Sequence, residues 1–526
     1  MNRRNFLQTS AVTGSLLMAG SAIPSMAKPR YAKQESFDFM NNDNIMIIVE
    51  LFGGNDGLNT VIPVDNDLYY QYRPNIALQK DVAVRWQTSS LYFHPALVEN
   101  IETGGFMWMM DNGQLAVVES IGYDKPTLSH FRSKEIWQSG INNKDPKVKL
   151  DEGWLGRFIA SKLPEYPYVL PEHPVCISVG GTVPLLFKSR KGHMGIAVNN
   201  AGSFASKSAG LKPQFPLLGG EGYFIDEFNF IYNIASQSEQ YGQAVTNAYD
   251  NGENIGEYSD TGLSQKFKTI ARLISGGLKT KVFYVGLSSF DSHVQQMGEP
   301  LSGQHPLLLN ELASAISEFN RDALAQGFAQ RVAGMTTSEF GRRVKDNGSR
   351  GTDHGTASNM FVWGHFDYIN NSAIYGDPPN LEDLDRGNLK HQSDFRMIYA
   401  DFLEKWFGAT DDEIDELFQE NIGAMNILKA RTSSVEEQKF ISDNPSGLKI
   451  FPNPSSGNAS IGFNVSRAIN IRVSVYTQKG QRVYDAYEGP ASLGFMTIPL
   501  RLNTVGKYIV SVKVGQSRLT GILVVE

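Results

Sequence analysis

The chain has 526 residues, 41% hydrophobic and 20% charged, which excludes a disordered protein and supplies a large apolar core. Its net charge of −7, from 48 Lys/Arg against 55 Asp/Glu, excludes the global basic surface that nucleic acid requires. The single cysteine, Cys176, excludes an intramolecular disulfide and any thiolate cluster, and within Val175-Cys176-Ile177-Ser178 it reads as a buried, inert thiol.

In chain order, Arg3-Arg4 precede Asn5-Phe6-Leu7, an apolar small-residue run from Ala11 to Ile23, and Ser25-Met26-Ala27. This predicts a targeting segment over 1–27, cut after Ala27. Arg-Arg-x-Phe-Leu resembles a twin-arginine signal, and an ordinary secretory signal is the plainer alternative. No later apolar run reaches the ~18 residues needed to span a bilayer, so no transmembrane segment is expected in the mature chain. Residues 28–44 read as a linker. From 45 to 430 the runs Ile45–Phe52, Leu115–Glu119, Val175–Val179, Val282–Leu287, Val332–Thr337 and Asn359–Trp363 suit buried strands. Helical patterns lie between them at Ser264–Ile274, Leu307–Leu324 and Asp394–Trp406. The alternation predicts an α/β domain, a parallel sheet with helices on both faces. A polar stretch, 431–446, reads as a second linker. Residues 447–526 then carry nine Lys/Arg and only three Asp/Glu, against a balance of −15 over residues 28–446, and this change of sign marks a domain boundary. Alternating runs at Ile469–Tyr476 and Gly506–Val514, and the closing Ile522–Val525, predict a small all-β sandwich there.

Ligands of open α/β sheets sit beyond the carboxyl ends of the strands. Polar residues follow several strand-like runs at once: Gly53-Gly54-Asn55-Asp56-Gly57, Asp291-Ser292-His293, Ser338-Glu339-Phe340-Gly341-Arg342 and Gly351-Thr352-Asp353-His354-Gly355. Pro126-Thr127-Leu128-Ser129-His130-Phe131 follows Leu115–Glu119 and opens a helical stretch. Each motif alone reads as a turn, a cap or a surface pair. Carboxylates and imidazoles gathered at one sheet edge, however, need a cation to offset their repulsion. Oxygen and imidazole donors without thiolate suit zinc, manganese or iron, and carboxylate-rich sets also hold magnesium or calcium. Ser129, at a strand-to-helix turn, is either a plain N-cap or a hydroxyl that a metal and the helix N–H groups make nucleophilic.

These motifs resemble a family known as domain of unknown function 1501, of the alkaline phosphatase-like superfamily. Leu51-Phe52-Gly53-Gly54-Asn55-Asp56-Gly57-Leu58-Asn59, Phe93-His94-Pro95-Ala96-Leu97, Ser129-His130-Phe131, Gly153-Trp154-Leu155-Gly156-Arg157, Asp291-Ser292-His293, Ser338-Glu339-Phe340-Gly341-Arg342 and Asp353-His354-Gly355 carry the resemblance in order. The superfamily implies an alkaline phosphatase-like sheet and metal-dependent hydrolysis or transfer of phosphate or sulfate esters. By this resemblance Ser129 is the nucleophile, and Asp56, Asp291, His293, Glu339 and His354 are metal ligands. His130 or Asp353 can substitute. Apart from the resemblance, Arg157, Arg342 and Arg343 either hold an anionic substrate bidentately or face solvent. Phe340 stands where many members have a histidine, so one nitrogen is missing from a second metal site, and Asp291 and His293 are spaced more closely than the usual pair. The implied cofactor is one or two divalent ions, zinc or manganese, or none.

Residues 447–526 resemble the C-terminal sorting domain of the type IX secretion system of Bacteroidetes, through Phe451-Pro452-Asn453-Pro454, Val475-Tyr476, Gly480-Gln481 and Gly506-Lys507-Tyr508. The resemblance implies handling by that machinery and export, through the periplasm, to the cell surface or medium. The function expected is an exported ester hydrolase acting on a small anionic ester. The alternative is a non-catalytic surface or envelope protein of the same fold that binds a glycan or a protein partner.

Overall fold

The structure is a computed structural model that describes residues 39–40, 42–98, 105–167, 169–211, 218–220, 222–298, 302–370, 373–430, 448–465, 469–477, 481–491, 494–514 and 517–526. The targeting segment 1–27, most of the linker 28–44 and the linker 431–446 lie outside the described residues.

Every residue of the first strand, β1 (Ile45–Leu51), is buried. Ile45, Ile47 and Val49 enter one apolar core and Met46 and Ile48 the other, because alternate side chains of a strand point to opposite faces. Each such Ile or Val contributes about 1.5–3 kcal/mol by leaving water. A strand apolar on both faces belongs inside a sheet covered on both sides. The strands that share its sheet are β2 (Leu115–Gly122), β3 (Cys176–Val179), β4 (Gly195–Val198), β5 (Val282–Leu287), β6 (Val332–Thr337), β7 (Ser358–Gly364), β8 (Ile374–Tyr375) and β9 (Ser393–Asp394). They form one nine-stranded sheet in the order β8-β2-β7-β6-β1-β5-β3-β4, with β9 also paired to β2. β1 runs parallel to both neighbours, with Ile48 opposite Tyr284 on one side and Met335 on the other.

Helices pack on both faces. Helices α1 (His130–Ser139) and α2 (Trp154–Lys162) bury Ile136, Trp137, Trp154 and Phe158 in the core with Met46 and Ile48. Helices α3 (Gly262–Ser275) and α4 (Gln304–Gln326) bury Phe267, Ile270, Leu312 and Phe319 in the core with Ile45 and Ile47. The Thr261 side chain caps α3 by accepting from Ser264 N–H, and glycines in the left-handed region, Gly140 and Gly327, end α1 and α4.

One expectation is corrected. The sheet is mixed, since β7 runs antiparallel to both β6 and β2. An apolar run carries no sign of its direction. Between Thr337 and Ser358 the chain forms a loop and no crossover helix, so the strand returns beside its predecessor in the opposite sense. This loop holds Glu339, Arg342, Asp353 and His354 and opens from the same edge as the loops after β1 and β5.

The C-terminal residues form two antiparallel sheets. One joins Lys449–Phe451, Asn458–Val465 and Gly494–Arg501, and the other joins Arg482–Ala491, Ile469–Thr477, Gly506–Val514 and Ser517–Val525. Ile461 and Phe463 of the first sheet share a core with Val473, Val475, Val510, Val512 and Leu523 of the second, which makes the expected sandwich. Among the described residues no helix is long and apolar enough to cross a membrane.

Candidate functional site

The turn after β1 sets the floor of the site. Gly53 and Gly54 take φ values of 119° and 88°. A Cβ on Gly53 would lie 2.1 Å from the Asp291 backbone nitrogen, and one on Gly54 would lie 2.6 Å from the Phe340 ring. Only glycine lets the loops after β1, β5 and β6 come this close.

Four expected residues meet there. His293 Nε2 and His354 Nε2 are 3.0 Å apart, and they stand 3.0 Å and 3.1 Å from Asp291 Oδ1. His130 Nε2 faces the other carboxylate oxygen, Oδ2, at 3.4 Å. The far nitrogen of every ring has an acceptor. His354 Nδ1–H donates to the Leu128 carbonyl at 3.0 Å, His293 Nδ1–H to Asp353 Oδ1 at 3.2 Å, and His130 Nδ1–H to Glu339 Oε1 at 2.9 Å. These acceptors fix the tautomer: in the neutral ring the proton is on Nδ1 and the lone pair on Nε2. Three lone pairs therefore converge on a carboxylate, an arrangement that repels itself unless a cation enters. One donor atom each from His130, Asp291 and His354 can be chosen within 4.8 Å of one another. The residues present thus fit a divalent ion bound by imidazole nitrogen and carboxylate oxygen.

Burial alone would raise the Asp291 carboxyl, but the Arg342 guanidinium beside it holds it below the usual carboxylate range. Arg342 Nη2–H donates to Asp291 Oδ1 at 2.6 Å. Nη2 also lies against the carbonyls of Phe290 at 2.8 Å and Gly53, while Nε donates to the Gly54 carbonyl at 2.9 Å and Nη1 to that of Thr352 at 3.0 Å. Arg342 is therefore a buried strut that ties the loops together, and the expectation that it holds substrate is corrected. Phe340 is also buried, its ring 4.8 Å from those of both His130 and His354. It walls the site where a nitrogen donor was missing from the motif, and Arg342 supplies a fixed positive charge beside the same carboxylate.

Glu339 and Asp353 reach the cluster through the far nitrogens of His130 and His293. Glu339 Oε1 also accepts from Gly53 N–H at 2.8 Å. Among the described residues its Oε2 is buried without a hydrogen-bond partner. Carboxylates behind ligand imidazoles fix ring orientation and raise basicity, a different task from ligation.

Asp56 does not reach the cluster. It is 1% exposed and accepts from Arg73 Nη1 at 2.6 Å and Nη2 at 2.8 Å, and also from Gln296. Burial alone would raise its carboxyl, but the Arg73 guanidinium outweighs this and holds it low. Both oxygens are committed, so the expected metal role of Asp56 is corrected to a structural ion pair. Nothing in the sequence around Arg73 marks it as that partner.

Ser129 is the N-cap position of α1, yet its side chain makes no capping bond. Its residue is exposed, one position before His130 and next to the Leu128 carbonyl that orients His354. Cys176 is fully buried and its thiol is pushed up by burial, as an inert core residue should be.

Two regions of the chain match family models. Residues 235–415 match the model described as protein of unknown function, DUF1501. Residues 449–526 match the secretion system C-terminal sorting domain. The first region contains Asp291, His293, Glu339, Arg342, Asp353 and His354, whereas Ser129 and His130 lie before it. The sorting domain indicates export to the cell surface or beyond. No curated protein matches the chain. Among solved structures, a protein of the alkaline phosphatase superfamily from Vibrio parahaemolyticus is 10% identical with a TM-score of 0.30, over 92% of this chain and 82% of that one. A sulfatase from Pseudoalteromonas sp. is 8% identical with a TM-score of 0.33, over 90% and 84%. A Bacteroides thetaiotaomicron protein, described with the metabolism of multiple glycosaminoglycans, is 10% identical with a TM-score of 0.31, over 84% and 89%.

Proposed function

We propose that the protein is an exported, metal-dependent hydrolase of phosphate or sulfate esters, carried out by the type IX machinery. The observation that carries the reading is the convergence of three Nε2 lone pairs on the Asp291 carboxylate, each ring locked by an acceptor on its far side. His130, Asp291, His293 and His354 would hold the ion, zinc or manganese by donor type. When bound, a divalent ion there would neutralise charge on an ester oxygen and lower the pKa of a nearby hydroxyl. Ser129 supplies that hydroxyl, and its side chain is not spent on capping the helix. The N–H groups in the first turn of α1 would stabilise charge that develops on the ester oxygens. Glu339, Asp353 and the Leu128 carbonyl keep the three rings aimed.

Elemental analysis of the purified protein is expected to find a stoichiometric divalent ion, lost in His293→Ala and His354→Ala. Ser129→Ala is expected to keep the ion and lose turnover of aryl phosphate and aryl sulfate. Turnover equal to wild type would remove Ser129 as nucleophile, and an absence of metal would remove the centre. A second reading, a non-catalytic binder of a glycan or protein, draws on Phe340, whose buried ring lies where a nitrogen donor is missing. Bound metal without turnover of either ester would decide for it.

A further inference from the structure

The alternation that sends Met46 and Ile48 of β1 to the face covered by α1 sends Glu50 there as well. A carboxylate buried in an otherwise apolar strand is costly unless donors surround it. Glu50 has donors on two sides. Gln138 Nε2–H of α1 donates to its Oε2 at 2.6 Å, and the Tyr284 hydroxyl of β5 donates to the same oxygen. Lys134, one helical turn after His130, brings its ammonium to 3.8 Å from Oε1. Glu339 grips the same helix at its start. Its Oε1 accepts from His130 Nδ1–H at 2.9 Å, and its carbonyl accepts from the Ser133 hydroxyl. Two buried carboxylates, at the ends of β1 and β6, therefore latch the helix that carries Ser129 and His130.

A closed chamber adjoins both latches, and Glu50, Gln138, Tyr284, Glu339 and Trp137 line it. It leaves about 10 Å³ for the centre of a water molecule, room for one. Two of its wall residues bury polar atoms that have no partner among the described residues: the Glu339 Oε2 acceptor and the Trp137 indole N–H donor. Each is costly until it is satisfied. One water can do both, accepting from the indole and donating to a carboxylate, whereas a cation would meet the indole N–H as a like partial charge. Burial pushes the Glu50 carboxyl up and the Glu339 charge adds to this, against the pull of Lys134, Tyr284 and Gln138, so the two carboxylates sense one another.

We infer that this chamber holds one water bridging Glu339 and Glu50, and that Glu50 is a positioning residue: with that water it steadies Glu339, and so the aim of the His130 ring at the Asp291 carboxylate. The inference rests on the hydrolase reading for His130 as a metal ligand, but the water and the latch do not depend on an ion.

The test pairs crystallography with chelator competition for zinc, both on the full chain. High-resolution crystals of the wild type are expected to show one water within hydrogen-bond distance of Glu339 Oε2 and Trp137 Nε1. Glu50→Leu is expected to weaken zinc binding by about tenfold, and Glu50→Gln, whose amide oxygen still accepts from Gln138 and Tyr284, to stay within about threefold of wild type. A merely structural role would lower the melting temperature of Glu50→Leu and leave its zinc affinity alone. Should Glu50→Leu fail to fold, Trp137→Phe removes only the indole donor, and it is expected to lose the water and weaken zinc binding by about threefold or more. A dry chamber, or zinc affinity equal to wild type in the folded variant, overturns the inference. Wild-type protein that binds no zinc overturns the hydrolase reading, and Glu50 is then judged on the metal-free protein by nitrogen NMR of the histidine rings. His130 protonated on Nδ1 in wild type and Glu50→Gln, with mixed tautomers in Glu50→Leu, upholds the positioning role; one tautomer in all three overturns it.

Discussion

Asp56 and Asp291 follow neighbouring strands of one sheet, β1 and β5, yet the fold gives them opposite lives. Asp56 is sealed from water with both oxygens on Arg73. Asp291 is 44% exposed and faces three imidazole nitrogens as well as Arg342. A carboxylate whose lone pairs are all spent on a buried guanidinium holds loops together. One that faces further lone pairs has capacity left for a ligand. Glu119, at the same edge on β2, is a third case: buried with no counter-charge among the described residues, its carboxyl is pushed up to about 7 by desolvation.

The largest effect expected is at the sealed pair. Arg73→Met leaves Asp56 charged and buried, and urea unfolding should show a loss of about 3–5 kcal/mol. A loss comparable to that of a surface pair would mean that Asp56 is solvated and free for other work. Next comes Glu119. Its pKa is raised from 4.5 to about 7, so the native state keeps a proton that the unfolded chain has released. Stability therefore falls as pH rises through that window and the full cost is present above it. Glu119→Gln should gain up to about 3 kcal/mol more, relative to wild type, at pH 8 than at pH 4. A pH-independent difference between the two proteins would show that Glu119 titrates normally.

Smaller again is the loss of an orienting carboxylate. Asp353→Asn weakens the hold on His293 Nδ1–H, and chelator competition should show metal affinity reduced by about 10–100-fold. Unchanged affinity would detach Asp353 from the centre. The smallest effect is expected from replacing both partners of the sealed pair, Asp56→Leu with Arg73→Met. Metal content should match wild type and stability should recover most of the loss seen in the single variant, because a buried ion pair exchanged for apolar side chains of similar volume is often neutral. Loss of metal in that double variant would return Asp56 to the site.

Much of the scaffold was legible because it rests on local pattern. β5 and β6 match the predicted runs residue for residue, and the α3 and α4 patterns fall inside the helices observed. Helix Tyr223–Asn251 and strand β4 went unpredicted, the strand being a brief run of four residues. The pattern over Asp394–Trp406 holds an α-helix at Arg396–Asp401 that continues into a wider turn at Phe402–Trp406. At the site, the motifs named the right loops but not the division of labour. His130 was only a substitute in the motif reading, and in the fold it faces the central carboxylate. Asp56 sat in the most recognisable motif and is held elsewhere by an arginine with no motif of its own.

By itself the sequence determined the α/β class, the sandwich at the C-terminus, the sorting domain and the set of polar loops at strand ends. These follow from periodicity, composition and turn residues, which act over a few positions. Only the tertiary structure decided that β7 runs antiparallel, that Arg73 claims Asp56, and that His130, His293 and His354 turn their Nε2 atoms toward Asp291. Those outcomes depend on which side chains, tens to hundreds of residues apart, arrive within about 3 Å, and on which acceptor stands behind each ring.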